Sequence, residues 1–377
     1  MKSVDLLIIG CGLAGSAIAW QAHRRGMSIA IADRNERQSC SMVAAGLVTP
    51  ITGSRAAASW EWDLFFSEAS QFYPWIEEQV QGRCWYLEPA TRVFLSEMER
   101  TQFETKWFSK SSSGPTTPTA LPMENANFSG IHAPWGGCSM SPAARLDTSD
   151  YLSMTREFFK NREAYYECDV DCDSIVDNGS HIQLASVGIS ANSVILCQGV
   201  ESRKNRWFAE LPLHPARGDI LTLEKPSYVE IERVLHHDVW VVPTIDGKLK
   251  IGATYDRHTL DGIVDNRPQV LSWKAELIRR WDGVFSGAIQ KTPVVLDHQA
   301  AVRPASYDRH PLIGRHIASS RVFCLNGLGS KGTLMAPALA RILLSTILDG
   351  DALPPQLDWQ RPLRKNLPRF EGTQQKG

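Results

Sequence analysis

The chain has 377 residues, 43 % of them hydrophobic and 21 % charged. That length fits two to three domains at about 150 residues each, with core enough to need no disulfide or metal staples. Lys+Arg 40 against Asp+Glu 41, a net charge of −1, excludes a globally basic nucleic-acid binder and a highly charged disordered chain.

Val4 to Gly10 reads as a short strand ending in glycine. A helical pattern runs from Leu13 to about Arg25 and stops at Gly26, a residue suited to the left-handed position after a helix. Met27 to Ala32 is a second strand, ending at Asp33, so the first unit has the size of a βαβ crossover. The apolar run within it is interrupted by glycines, unlike a secretory leader, and no stretch approaches the length of a membrane span. Met42 to Gly53 is rich in small residues, and Ser59 to Gln79 patterns as an amphipathic helix. Ser109 to Pro122 is a polar Ser/Thr/Pro/Gly loop. A helix follows with Asp147, Thr148 or Ser149 as N-cap.

Ala164 to Val176 and His181 to Val187 read as strands around Asp177-Asn178-Gly179, a hairpin turn. Ser193 to Cys197 is a strand closed by Gly199. Val234 to Val242 and Leu249 to Ala253 flank a second hairpin turn, and Pro268 to Trp281 is helical. Ser320 to Leu325 is a strand leading into Gly327-Leu328-Gly329-Ser330-Lys331-Gly332 and a helix from Thr333 to Leu348. From Gln360 onward five basic residues stand against one acid, which reads as a solvated basic segment. The eight cysteines form no C-x-x-C pair; reduced, buried thiols of a cytoplasmic protein fit this pattern better than a metal site or a disulfide framework.

Gly10-Cys11-Gly12-Leu13-Ala14-Gly15 is a G-x-G-x-x-G run between a strand and a helix, with an acid, Asp33, about 20 residues on. Gly10 turns the chain, Gly12 lets a pyrophosphate approach the backbone, and Gly15 lets the helix lie close to the sheet. The helix N-terminus offers amides and partial positive charge to phosphates, and Asp33 would accept ribose hydroxyls. This fingerprint alone does not separate NAD from FAD.

Arg303-Pro304, Asp308, Pro311-Leu312-Ile313-Gly314 and Gly327 to Gly332 with its following helix resemble the signature of the D-amino-acid oxidase-like flavoproteins, particularly glycine and sarcosine oxidases. Ala44-Ala45-Gly46 and Ser193 to Gly199 agree with it. The resemblance implies an α/β fold: a Rossmann-like FAD-binding domain of glutathione-reductase type, interleaved with a smaller antiparallel-sheet α+β substrate domain. The first would take residues 1–80, 145–220 and 295–377, the second 81–144 and 221–294. It implies non-covalent FAD, touched by Gly10, Gly12, Leu13, Ala14, Gly15, Asp33, Arg34, Ala44, Ala45, Gly46, Gly199, Arg303, Gly327, Leu328, Gly329, Ser330, Lys331, Gly332 and Thr333. The adenine contact falls near Val170 or Cys172, with Cys172 favoured, on a strand.

For substrate, the resemblance places Arg303 on a carboxylate in a two-pronged ion pair; a structural pair with Asp308 is the competing reading. Trp240 stands where the family carries a Tyr, and a core Trp on a strand reads equally well. Ser330 takes the place of a second Arg of glycine oxidases. The implied activity is oxidation of a small primary or secondary amine or amino acid: hydride transfer to flavin N5, hydrolysis of the imine, and reoxidation by O₂ giving hydrogen peroxide. A lysine near the flavin assists O₂ in some relatives, and Lys248, Lys250, Lys291 and Lys331 are the candidates. His236 and His237 precede the substrate-domain strand and could line the pocket, with a surface loop the favoured reading. Gly252-Ala253-Thr254-Tyr255 and the second glycine turn are also similar to the FAD domain of the bacterial wobble-uridine tRNA-modification enzymes. Removal of a carboxymethyl group from tRNA is therefore the alternative, with a related dehydrogenase using another electron acceptor behind it.

Overall fold

The computed structural model describes residues 1–109, 114–124, 130–227, 230–285 and 293–361. Two eight-stranded sheets organise it. In the first, Tyr165–Glu167, Ile29–Asp33, Lys2–Ile9 and Ile189–Leu196 lie side by side and parallel. Val322–Asn326 adds to Ile189–Leu196 in parallel, and Leu312–Arg315 pairs antiparallel beyond it. Leu6, Leu7 and Ile8 are fully buried, as an uninterrupted apolar run must be when a parallel strand is covered on both faces.

The covering helices come from distant parts of the sequence. Leu13–Arg24, Trp62–Val80 and Gly332–Leu348 pack together on one face. Gln21 Nε2 donates to the Pro337 carbonyl at 3.2 Å and Tyr73 OH to the Thr333 carbonyl at 2.8 Å. Arg25 caps the first helix and Gly26 follows at φ +72°, the predicted left-handed exit. Asp147 is the N-cap of Thr148–Lys160, accepting from Asp150 N at 3.2 Å.

The second sheet runs Val295–Arg303, Ala216–Glu224, Lys248–Gly252, Trp240–Pro243, Leu235–His236, Ala90–Val93, Gly137–Ser141 and Thr119–Met123. It is antiparallel except where Leu235–His236 meets Ala90–Val93. Helix Pro268–Asp282 packs against it, burying Leu277 and Trp281.

Three local expectations change. The strand predicted over 164–176 is interrupted, with only Tyr165–Glu167 and the start of Val176–Asp177 extended; the Asp171 side chain accepts from Asp173 N at 3.0 Å and turns the chain into a short 3₁₀ segment, Cys172–Ser174. The run 234–242 is a tight hairpin rather than one strand, with His237 N bonded to Val239 O at 3.0 Å. Arg361 is buried rather than solvated: its guanidinium holds both oxygens of Asp308 at 2.9 Å and donates to the Pro311 carbonyl at 2.7 Å. The basic residues beyond it, Arg364, Lys365, Arg369 and Lys376, lie outside the described residues. Among the described residues no helix is long and apolar enough to cross a membrane.

Candidate cofactor and substrate site

One cavity of about 1240 Å³ lies between the two sheets, larger than the ~300–1,000 Å³ of sites for small ligands. At one end its wall is backbone. Gly10 leaves its strand at φ +92°, and a Cβ there would sit 2.8 Å from the Cys197 carbonyl oxygen. Gly12, Leu13 and Ala14 line the cavity beside it. Gly15 does not: a Cβ there would lie 1.8 Å from the Gly10 carbonyl oxygen, so this glycine serves the close packing of turn on helix rather than the wall itself. Asp33, Arg34, Ala44, Ala45, Gly46, Cys172 and Gly199 line the same space.

Asp33 is committed to protein as well as open to the cavity. Its Oδ1 accepts from Cys11 N at 2.9 Å; its Oδ2 accepts from Asn35 N and from Tyr165 OH, each at 3.0 Å, with Arg156 at 3.6 Å. The acid therefore ties the strand end to the glycine turn. Cys172 sits at the start of the 3₁₀ segment rather than on a strand, with Val170 also on the wall.

The second glycine turn closes the cavity from the other side. Gly327, Leu328, Gly329, Ser330, Lys331, Gly332 and Thr333 all line it. The turn is stitched to the Arg303 segment: Gly329 N donates to the Pro304 carbonyl at 3.2 Å, and Ala305 bridges to Leu328.

The substrate end is made of side chains. Arg303, Trp240 and Ser330 are brought together, lining both the large cavity and an adjoining one of about 270 Å³. Arg303 does not pair with Asp308, which Arg361 holds instead. Its guanidinium bonds only weakly to protein, at 3.3 Å to the Arg217 carbonyl and 3.4 Å to that of Thr254, and it forms no ion pair among the described residues. It lies flat on the neighbouring strand because Gly218 has no side chain; a Cβ there would stand 2.1 Å from Arg303 Nη2.

Several wall residues carry no sequence signal of their own. Ser41 Oγ accepts from Leu13 N at 3.0 Å, capping the first helix across the turn. Arg156 reaches Asp33 from another helix. His236 and His237, expected on a surface loop, line the smaller cavity. Burial, then the charges of Arg92 and Lys331, lower the His236 imidazole to about 3, so it is neutral at physiological pH. Of the four candidate lysines, Lys331 alone lines either cavity among the described residues; Lys248 pairs with Asp246 at 2.7 Å, and Lys291 lies outside them.

The family profile described as FAD dependent oxidoreductase, DAO, matches residues 5–345. The chain belongs to this family. The tRNA 5-methylaminomethyl-2-thiouridine biosynthesis bifunctional protein MnmC of Vibrio cholerae is 26 % identical over 415 residues, covering 96 % of this chain and 59 % of that protein. The chain thus spans less than two thirds of that relative. Glycine oxidase of Bacillus licheniformis is 28 % identical over 180 residues, covering 46 % of this chain and 45 % of that enzyme. Among solved structures, iminodiacetate oxidase of Chelativorans sp. BNC1 superimposes with a TM-score of 0.72 at 19 % identity, covering 94 % of this chain and 98 % of that one. Glycine oxidase of Bacillus cereus gives 0.74 at 16 % identity, covering 93 % and 96 %. FAD is accordingly the cofactor, and the Rossmann-type architecture is that of the family. The cradle fits it: glycine-rich backbone walls both ends of a cavity of about 1240 Å³, so a pyrophosphate can approach the chain closely.

Proposed function

We propose that the protein oxidises a small primary or secondary amine carrying a carboxylate and passes the electrons to O₂. The observation that carries this reading is Arg303: a guanidinium on the cavity wall, laid flat on Gly218, with no acid among the described residues paired to it. Such a fork is matched to a ligand carboxylate in two-pronged geometry. FAD, when bound, supplies the two-electron acceptor. Arg303 fixes the carboxylate, Trp240 walls the pocket and offers its indole N–H, and Ser330 supplies a hydroxyl. The names of the relatives, glycine oxidase and iminodiacetate oxidase, support this substrate class.

In this reading FAD is held without a covalent bond. The thiols on the cavity wall are protonated, as burial pushes Cys11 and Cys172 up to about 12 and raises Cys40 and Cys197. No ready thiolate therefore exists to attack the ring. The division into a flavin domain (1–80, 145–220, 295–377) and a substrate domain (81–144, 221–294) belongs to the same proposal.

The test is anaerobic bleaching of the flavin by a panel of amines and amino acids. Arg303→Met should cost at least about 100-fold in kcat/KM while flavin stays bound, the ~2–5 kcal/mol of a lost buried charge pair. Unchanged kcat and KM would remove Arg303 from the carboxylate. Acid precipitation should release the flavin.

The second reading, oxidative removal of a carboxymethyl group from tRNA, is favoured by the MnmC match along 96 % of the chain. Two tyrosines, Tyr255 and Tyr307, are each 60 % exposed beside Arg303 and its Pro304–Ser306 neighbours, a place where a base could stack. Flavin reduction by purified tRNA, with none by free amines, would select it.

A further inference from the structure

The substrate end of the cavity holds more positive charge than one carboxylate needs. Lys331 lies on the cavity wall, and the hydrogen-bond partner of its ammonium is the neutral Ser59 hydroxyl at 3.1 Å. It forms no ion pair among the described residues. Its pKa falls to about 8 through burial alone, with no anion to hold it up. His236 lines the same cavity, near enough for the lysine's charge to lower the imidazole further. His236 Nε2 is buried with no hydrogen-bond partner, and the ring lines both cavities. The smaller cavity contains one carboxylate, Asp238, which is solvent-exposed and faces Arg280 at 4.0 Å.

A buried ammonium held only by a neutral hydroxyl and an imidazole nitrogen with no hydrogen-bond partner are both costly, and a ligand oxygen would satisfy both. Their relation to Arg303 is fixed, because the turn carrying Lys331 is hydrogen-bonded to the segment carrying Arg303 at Gly329–Pro304 and Ala305–Leu328. We propose that Lys331 and His236 form a second anion subsite beside Arg303, so that the substrate is a small amine bearing an acidic group on each of two arms. Arg303 takes the first carboxylate, Lys331 the second through its charge, and His236 Nε2 closes the hydrogen-bonding of that same group. The amine nitrogen is then suspended between two anchors, which orients the carbon to be oxidised more tightly than one anchor can. This deepens the amine-oxidation reading and rests on Arg303 being a carboxylate anchor.

The test uses the flavin-loaded protein and two unreactive sulfur isosteres, thiodiacetate with two carboxylates and (methylthio)acetate with one. Binding is read as the perturbation of flavin absorbance. The native protein should bind thiodiacetate at least about tenfold more tightly, about 1.4 kcal/mol. Lys331→Met should erase that preference and leave (methylthio)acetate affinity within about twofold. Lys331→Arg should retain most of the preference, and His236→Asn should reduce it in part. Equal affinity of the native protein for both ligands overturns the inference, as does a parallel loss of both in Lys331→Met, which would make Lys331 a flavin contact. The underlying reading fails separately: Arg303→Met would then leave (methylthio)acetate binding unchanged, or neither ligand would perturb the flavin.

Discussion

The two glycine-rich turns face one cavity and differ in what they bring to it. Gly10–Gly15 contributes backbone; its intervening residues are Cys11, Leu13 and Ala14, and its glycines are crowded by the chain itself. Gly327–Gly332 contributes side chains, Ser330 and Lys331, and its middle glycine, Gly329, is unconfined. A Cβ at Gly15 would lie 1.8 Å from a backbone oxygen, whereas one at Gly329 meets nothing nearer than Ala305 at 3.7 Å. The first turn is a fixed cradle where any atom added is an obstruction. The second stands off its neighbours at Gly329 but not at Gly327, where a Cβ would lie 3.0 Å from the Leu312 backbone nitrogen.

This contrast can be broken by substitution. Gly15→Ala should be the most damaging, costing on the order of 3 kcal/mol or more, since a backbone oxygen cannot move aside as a side chain can. Urea unfolding and the flavin content of purified protein read it. Arg361→Met should cost about 3 kcal/mol, because it leaves Asp308 charged and unpaired in the interior at the base of the strand pair that delivers the second turn. The denaturation midpoint should fall while the Arg303-dependent binding of carboxylates survives. Gly329→Ala should cost only about 1 kcal/mol, the strain of a side chain at φ +54°, with flavin retained. Damage equal to that of Gly15→Ala would show that the second turn is as rigid as the first.

The smallest effect expected is one of pH. His236 has a folded pKa of about 3 against the ordinary 6.5, so the unfolded chain binds more protons between these values. Its contribution to stability is complete above pH 6.5 and is lost as pH falls toward 3. In His236→Asn the decline in stability from about pH 7.5 to 5.5 should shrink by up to ~1 kcal/mol. An unchanged acid limb would place His236 in water rather than in the interior.

The backbone half of the site was readable in the residues. Glycine spacing, the acid at the end of the second strand and the small-residue run at 44–46 each answer to local geometry, and each is legible over a few positions. Arg303, Trp240 and Ser330 were reachable through family resemblance alone, because their meeting depends on how strands of two sheets are laid together. Ser41, Arg156 and the placing of Lys331 and His236 on one cavity left no trace, since nothing local marks a side chain that acts across sheets. For His236 the residues left two readings, pocket and surface loop, and favoured the loop for a related reason: two histidines and an aspartate in a turn look solvated, and only packing reveals that the first is turned inward. Arg361 looked like one charge in a basic run because its partner lies 53 positions earlier.

Val322–Asn326 sits beside Ile189–Leu196, and Gly332–Leu348 packs on Leu13–Arg24, with Gln21 bonded to a residue 316 positions later. This arrangement sets an order in time. On the ribosome, Gly10–Gly15 emerges long before Gly327–Gly332, so the cradle waits with one wall missing while most of the chain is made. Loading of the flavin is thus a late act of synthesis, and its arrival reports that both distant turns have found their places.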